Sequence, residues 1–431
     1  MKAETKRADV GEYLKLVTYS EALKRIEGAV SKIRPQVERV PIDSALGRVS
    51  AEDVDAPGDI PEIATSMMDG YAMRSDEIRN ADPSHPVSFT VKGSLSPASL
   101  RPGERLSGLE AYYVATGAPI PLGADVVAKV EETRQSGDNV SVSLSVAKWK
   151  NIAQRGDDVQ AGSPVVRQGQ IVNAADIALL VAAGRSDLSI YRRPRVGVLS
   201  TGDELTRLGA GEEGKKVNNY ANLMAAYVAD AGALPVLLGI AGDDEAEIAA
   251  RIDRSLGDVD VVITIGGSSV GTKDFTTRAI RRLSGCEELF HGVRLVPARP
   301  TGMFMVRGKP VVALPGHSVA AALAFFLIVH PTFNLMMGLK LQSRMVSIQA
   351  RVSGEIPNPR PVGALFLVGL AVKDGVYYAT PLRWGANLVS SLRAANAFLE
   401  VQPRTTLKEG EAIEVTLLGG SEALRIPGVG P

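Results

Sequence analysis

Between about Tyr191 and Leu339 short apolar runs alternate with stretches of helical spacing, and few architectures accept that pattern. Arg195–Ser200 (RVGVLS) reads as a buried strand. Asn219–Ala231 places Leu223, Met224, Tyr227, Val228 and Ala231 on one helical face, with Gly232 as its stop. Pro235–Ile240 is the next strand, and Asp243 and Asp244 cap a helix carrying Ile248, Ile252 and Leu256 that Gly257 ends. Val259–Ile265 is a third strand, Val311–Leu314 another, and Ser318 caps the last long helix. Such alternation predicts a parallel sheet wrapped by helices. Ligands in these sheets sit in the crevice outside the carboxyl ends of the strands.

The flanking segments have a different character. Ser20–Ile33 keeps helical spacing through Ala22, Leu23, Ile26, Val30 and Ile33, with Ser20 as a cap. From Ala56 to about Lys150, runs such as Val87–Val91, Tyr112–Ala115, Val126–Val130 and Val140–Val146 alternate with turn residues, which predicts a separate β-rich domain. After about Leu341, Ser343–Val352, Phe366–Val372, Val376–Pro381, Phe398–Val401 and Ala412–Leu417 read as strands of a small barrel or sandwich. A chain of 431 residues exceeds one ordinary hydrophobic core, so three or four domains are expected.

Composition narrows the function classes. Lys+Arg and Asp+Glu both number 48, and that balance argues against a general nucleic-acid binder. A single cysteine, Cys286, allows neither an intrachain disulfide nor a thiolate metal cluster. Met1–Val10 lacks the apolar stretch of a signal peptide. The most apolar run, Val319–Val329, falls short of the roughly 18–20 residues that span a bilayer. A cytoplasmic protein without membrane or nucleic-acid partners is expected.

Three of the four strands in the alternating segment run into suggestive turns. Ser200-Thr201-Gly202-Asp203-Glu204-Leu205 follows the first strand, Gly266-Gly267-Ser268-Ser269-Val270-Gly271-Thr272-Lys273-Asp274 the third, and Pro315-Gly316-His317-Ser318 the last. Glycines at a strand-to-helix turn let backbone approach a phosphate, and the exposed N–H groups of the helix start favour an anion. The loop is neither a dinucleotide fingerprint nor a Walker pattern, since it has no GxGxxG and no GK[ST]. Asp274 ends its turn where a carboxylate is poorly placed for core packing and well placed for a cation or a ligand N–H. A second group lies in the β-rich segment: Ser66 to Ala72 with Asp69, then Thr116-Gly117-Ala118-Pro119, Gly123-Ala124-Asp125, and Glu131-Glu132. Read alone, Asp69-Gly70 is a turn and Glu131-Glu132 a solvated strand end, although gathered carboxylates suit a hard cation such as Mg2+. Of the histidines, His85 is in a loop, His291 precedes a strand and His330 closes a helix before Pro331; only His317 stands where a ligand would pass.

Taken together the motifs resemble those of the molybdopterin molybdotransferase family, which includes bacterial MoeA proteins and the E domain of gephyrin. The family's Ser-x-Met-Asp-Gly-Tyr-Ala signature is matched by Ser66–Ala72, its Thr-Gly-Ala-Pro and Gly-Ala-Asp segments by Thr116–Pro119 and Gly123–Asp125, and its Gly-Glu-Asp-Ile segment by Gly156-Asp157-Asp158-Val159. STGDEL at Ser200–Leu205 and GGSSVGTKD at Gly266–Asp274 match its most specific motifs, and Leu392, Ala395-Asn396-Ala397 and Gly410-Glu411 extend the likeness to the last domain. The resemblance implies an α/β multidomain fold: an N-terminal helix (residues 11–35) packing on an α/β molybdopterin-binding-type domain (188–341) with a parallel-rich sheet, a central linking domain (36–55 and 151–187), a β-rich inserted domain (56–150) and a C-terminal β-barrel domain (342–431). It implies a homodimer whose cleft is shared between the α/β domain of one subunit and the β-rich domain of the other. It also implies a reaction in which adenylylated molybdopterin and molybdate (or tungstate) yield the metal-bearing dithiolene and AMP with Mg2+. The molybdopterin adenylyltransferase and molybdoenzymes would be further partners. Carried over by position, Asp69, Asp158, Asp176 and Asp274 would be catalytic, with Asp274 and Asn218 on the metal. Thr116, Gly117, Ser200, Thr201, Gly202, Asp203, Gly266, Gly267, Ser268, Ser269, Arg299, Pro315, Gly316 and His317 would hold the cofactor.

Four places depart from the family pattern. Asn218-Asn219-Tyr220 stands where the family has Asp-x-Asn, and Val296-Pro297-Ala298-Arg299-Pro300 where it has Lys-Pro-Gly-Lys-Pro. Leu314-Pro315-Gly316-His317-Ser318 replaces Leu-Pro-Gly-Asn-Pro, and Asp176 replaces a glutamate. The departures leave a second expectation beside the enzyme: a catalytically weakened paralogue that serves as a dimeric cofactor-binding protein or scaffold. An adenylyltransferase sharing the α/β fold is disfavoured, because that activity needs neither the β-rich insert nor the C-terminal domain.

Overall fold

In a computed structural model of the chain, the alternating segment builds a six-stranded sheet. Its strands are β1 (Arg195–Thr201), β2 (Leu234–Ala241), β3 (Val261–Ile265), β4 (Cys286–His291), β5 (Gly302–Val306) and β6 (Lys309–Leu314), in the order β2-β1-β3-β6-β5-β4. The pairings of β1 with β2, β1 with β3 and β3 with β6 are parallel, while β5 runs antiparallel to both β6 and β4. Helices α1 (Tyr220–Asp230), α2 (Glu245–Ser255) and α3 (Phe275–Arg281) make the connections. Ile248, Ile252 and Leu256 of the α2 region pack with Leu199, Val262, Ala279, Ile280 and Phe304 into one core, as helical spacing facing a sheet requires. The described residues are 16–99, 105–210, 213–267, 274–342, 345–385 and 388–419.

The sequence hid β4 and β5. The first half of β4 is Cys286-Glu287-Glu288 at the sheet edge, and only Leu289, Phe290 and His291 are buried, so its apolar signal is half a strand long. His291 therefore ends a strand instead of preceding one. The last long helix, Ser318–Met336, also runs further than its sequence suggested. A π-helical turn at Phe325–Val329 precedes Pro331, whose missing N–H and bulky ring would break a regular ladder, so His330 does not close the helix. Thr332 Oγ1 donates to Ile328 O at 2.8 Å within the same stretch. By length and apolarity this helix would cross a bilayer, but 89% of its most apolar stretch is buried inside the protein, the condition of a core helix. The N-terminal helix is Tyr19–Val30, capped by Thr18 and not Ser20, with Glu21 reaching back to the Thr18 N–H in a capping box. Its buried face is Ala22, Ile26 and Val30, and Arg25 Nη1 donates to Leu289 O in β4 at 2.7 Å.

The C-terminal strands close on themselves. Gly363–Lys373 pairs with both Val376–Pro381 and Ala397–Val401, and Ser347–Val352 and Ala412–Leu417 complete a five-stranded barrel, with Leu295–Val296 attached outside. Ala350, Val352, Phe366, Val368, Leu399, Val401 and Val415 fill it.

The chain divides into two compact units, Met1–Glu38 with Tyr191–Pro431, and Arg39–Ile190. In the second, six strands follow the order Val126–Lys129, Gly70–Met73, Glu110–Val114, Val87–Leu95, Asn139–Val142, Thr133–Ser136. Gly70–Met73 is buried throughout because both faces are covered: Tyr71 and Met73 face a core with Phe89 and Val140, and Ala72 faces one with Val114 and Val127. A further cluster of Ile42, Val54, Val166, Leu180, Leu188 and Ile190 holds the helix Ala174–Ala182.

Candidate active site at the carboxyl edge of the sheet

β1, β3 and β6 end side by side, with Ser200 opposite Ile265 and Ile265 opposite Leu314. β5 begins at the same edge, Gly302 lying opposite Ala313, and His291 at the end of β4 lies opposite Gly302. The turns after β1 and β6, Gly266-Gly267 at the end of β3, the loop carrying Arg299 and the end of β4 therefore gather at one edge of the sheet.

Side chains are excluded where the turns meet. Gly266 has φ +102°, and a Cβ on it would stand 2.5 Å from the Thr201 carbonyl oxygen. Gly267 has φ +60°, and its Cβ would stand 2.3 Å from Thr276 Oγ1; a Cβ on Gly316 would approach Gly266 Cα to 3.2 Å. Only glycine permits backbones this close. Beneath the turn a buried hydroxyl relay fixes it. Thr276 Oγ1 donates to Gly266 O at 3.0 Å, and Thr201 Oγ1 lies 3.2 Å from Thr276 Oγ1 and 3.4 Å from Ile265 O. The single Thr276 hydrogen is spent on Gly266, so Thr201 is the donor between the two hydroxyls. Thr276 N also donates to Gly267 O at 3.2 Å. Sequence reading missed Thr276; its position two residues after Asp274, in the first turn of α3, was the available signal.

Ser200 is buried and its hydroxyl donates to Asn218 Oδ1 at 3.1 Å; that oxygen also accepts the Ala221 N–H at 3.3 Å. Both lone pairs are engaged in tying α1 to β1, so a metal at Asn218 Oδ1 would have to displace one of those bonds. Asp203 is exposed, and its Oδ1 accepts the Asp243 N–H at 3.1 Å. Gly202 has φ +143°. Pro315 is buried, Gly316 half-buried, and His317 exposed at the N-cap position of the long helix without a side-chain cap bond; Ser318, expected there, is the first helical residue. Arg299 is half-buried, and its Nε is buried without a hydrogen-bond partner among the described residues, an orphan donor that suits an anion. Ser268 and Ser269 lie outside the described residues.

Asp274 differs from its expected role as a surface group. It is 9% exposed and caps α3, with Oδ1 accepting the Thr277 N–H at 3.3 Å. It thus has a structural duty besides any chemical one. Among the described residues no three His, Cys, Asp or Glu side chains gather to hold a metal. A Mg2+ ion does not need them, since it leans on one or two carboxylates, water and substrate phosphates. Asp274, on the crevice edge, fits that modest demand.

In the unit of residues 39–190, Asp69 is exposed, and its Oδ1 accepts the Thr116 N–H at 2.6 Å and the Thr116 hydroxyl at 2.9 Å. The backbone bond first, and the hydroxyl second, hold the Asp69 carboxyl below the usual carboxylate range. Gly117, with φ +80°, completes that turn. Asp158 is exposed, and its N–H donates to Ile60 O at 3.1 Å. Asp176 is buried, and its Oδ2 accepts the Asn173 N–H at 2.8 Å in a capping box that starts Ala174–Ala182. Among the described residues no hydrogen bond joins Asp69, Asp158 and Asp176.

A parallel-rich sheet with glycine-bearing turns at its carboxyl edge, followed in the chain by a closed β-barrel, defines a multidomain α/β protein. Family models bear this out along the chain: residues 17–184 match the MoeA N-terminal region (domain I and II), 197–334 the probable molybdopterin binding domain, and 349–418 the MoeA C-terminal region (domain IV). The chain belongs to the MoeA family. It is 37% identical over 305 residues to molybdopterin molybdenumtransferase 2 of Mycobacterium tuberculosis, covering 70% of this chain and 75% of that one. It is 30% identical over 397 residues to the molybdopterin molybdenumtransferase of Bacillus subtilis, covering 90% and 92%. The crystal structure of a molybdopterin biosynthesis MoeA protein from Pyrococcus horikoshii OT3 superposes with a TM-score of 0.79 at 30% identity, over 94% of this chain and all of that one (100%).

Proposed function

We propose that this protein is a molybdopterin molybdotransferase of molybdenum cofactor biosynthesis. In this reading it inserts molybdate, or tungstate, into adenylylated molybdopterin and releases AMP in a Mg2+-dependent step. The observation that carries the reading is the close meeting of the Thr201, Gly266, Gly267 and Gly316 backbones at the carboxyl edge of the sheet, the edge at which such sheets take their ligands. Gly266 and Gly267, with Ser268 and Ser269, cradle the pterin-side phosphate, and Ser200, Thr201, Gly202, Asp203, Pro315, Gly316 and His317 line the approach. Arg299 offers its guanidinium to an oxyanion, standing in for the family's lysine. Asp274 would hold Mg2+ together with substrate phosphates, and the ion would supply positive charge to the phosphate oxygens there. Asp69 with Thr116, and Asp158, act on the substrate or the oxyanion; Asp176 contributes by fixing its helix.

The protein works as a cytoplasmic homodimer, with the adenylyltransferase and molybdoenzymes as upstream and downstream partners. The domain partition expected from sequence, with boundaries at 35, 55, 150, 187 and 341, is part of the same reading.

AMP release from adenylylated molybdopterin by the purified protein, with and without Mg2+ and with molybdate or tungstate, tests the function. Turnover that needs both ions is expected. One observation favours the second reading, a cofactor-binding scaffold with weakened chemistry: Asn218 is neutral and already engaged twice. Tight substrate binding without AMP release would select it. Light scattering checks the dimer, and a fully active monomer would refute it.

A further inference from the structure

A run of polar groups leads from the sheet edge to Asp274. The His291 side chain is 5% exposed, and its Nδ1 lies 3.1 Å from Arg281 Nη2, while Arg281 Nε donates to Glu288 Oε2 at 2.7 Å. A guanidinium carries donors only, so His291 Nδ1 accepts and the proton of the neutral ring sits on Nε2. Its Nε2–H has no hydrogen-bond partner among the described residues, and Asp274 Oδ2 is 3.9 Å away. The other oxygen, Asp274 Oδ1, is taken by the Thr277 N–H. Leaving a buried N–H unpaired is costly, and a leucine or phenylalanine would fill the same space without that cost.

We propose that His291 is a positioning residue for Asp274, presenting a fixed Nε2–H to the Oδ2 atom that the α3 cap leaves unused. The inference rests on the reading of Asp274 as a group that acts in the crevice. Closing 3.9 Å to a hydrogen bond takes a carboxylate movement of about 1 Å, within the reach of a small side-chain rotation when a ligand engages Asp274. Held from two sides, the carboxylate keeps its remaining lone pairs for that ligand, as outer-shell histidines and amides do for other reactive carboxylates. Arg281 and Glu288 fix the tautomer.

The test measures kcat and KM for AMP release from adenylylated molybdopterin, thermal unfolding, and the 15N shifts of His291 in the full chain. His291→Leu is expected to lower kcat about tenfold or more with KM within about twofold. His291→Gln, whose amide nitrogen falls near the Nε2 position, recovers most of the loss, and His291→Asn, which is too short, does not. In an Asp274→Asn background, His291→Leu changes kcat by less than about twofold, because the two residues act as one unit. The 15N shifts are expected to show a bare Nδ1 and a protonated Nε2. Should His291→Leu fail to fold, the Gln and Asn pair carries the comparison. Equal turnover in His291→Asn and wild type while Asp274→Asn is inactive would overturn the inference and leave the site reading intact, as would a proton found on Nδ1. Full turnover in Asp274→Asn would defeat the site reading and this inference with it.

Discussion

Replacing Thr276 by valine keeps the shape of a fully buried side chain and deletes only its hydroxyl. In the wild type that hydroxyl donates to Gly266 O at 3.0 Å and is approached by Thr201 Oγ1 at 3.2 Å. The substitution leaves a buried carbonyl acceptor unsatisfied, which costs about 1–3 kcal/mol. Thr201 loses less, because Ile265 O remains at 3.4 Å as an alternative acceptor. Taking about 2 kcal/mol and about 2–4 °C per kcal/mol for a cooperative unit of about 150–250 residues, the melting temperature of the α/β domain should fall by about 4–8 °C. Activity should fall further than stability explains, since Gly266 and Gly267 sit at the crevice with conformations that depend on this support; a loss of about tenfold in kcat/KM corresponds to about 1.4 kcal/mol. Thr276→Ser keeps the hydroxyl and should retain both properties apart from a small packing loss. Thermal unfolding monitored by circular dichroism and AMP release at saturating substrate give the two readings. Wild-type melting and turnover in Thr276→Val would refute the argument that this hydroxyl relay shapes the loop.

Asp274→Ala should abolish turnover and also lower stability by about 1 kcal/mol through loss of the α3 cap, a cost that Asp274→Asn largely avoids; denaturant titration of both variants checks it. Thr116→Val removes one of the two hydrogen bonds that hold the Asp69 carboxyl down, so its pKa should rise part of the way to the usual range and the acid limb of the pH–activity profile should move to higher pH. Because a depressed folded-state pKa stabilises above the unfolded carboxylate pKa and that contribution vanishes as pH falls through the folded value, wild type and variant should differ in stability near neutrality and converge in strong acid. Asn218→Asp should strengthen the cap on α1 and add a charge beside Ser200, raising turnover or tightening Mg2+ dependence; a Mg2+ titration of AMP release that superposes on wild type would show that the position is purely structural.

The α/β domain was legible wherever burial was two-sided. β1 and β3 are buried almost throughout, and their unbroken apolar runs needed no tertiary context. β4 escaped detection because an edge strand is paid for on one side only, and its first residues, Cys286-Glu287-Glu288, look like a loop. The helix through Pro331 escaped for a different reason. The rule that proline ends a helix assumes regular spacing, and the π turn at Phe325–Val329 supplies a local exception that no pattern of apolar residues announces. The helix caps moved by one or two residues, to Thr18 and His317, and these are shifts of the kind that end geometry decides and spacing does not.

The candidate site shows where motif reading stops. Asp176, Asp274 and Asp69 look alike in a sequence, each a carboxylate near a turn, and in the fold all three accept backbone N–H groups. The partner of Asp176 is Asn173, three residues back, and Asn-x-x-Asp is a capping signature that can be read directly. The partner of Asp274 is Thr277, three residues on, so its cap was equally local and equally readable. Thr116 is 47 residues from Asp69, and His291 stands 17 residues from Asp274 across two elements, so neither pairing has any local trace. Local bonds fix where a helix begins and are satisfied by many sequences. A carboxylate held by groups distant in the chain has been placed by the whole fold, at the entropic cost of ordering each contributing segment. Asp69 is held in that way by Thr116, whereas Asp176 and Asp274 accept local capping bonds, and at Asp274 the distant group, His291 Nε2, stands 3.9 Å off without a hydrogen bond.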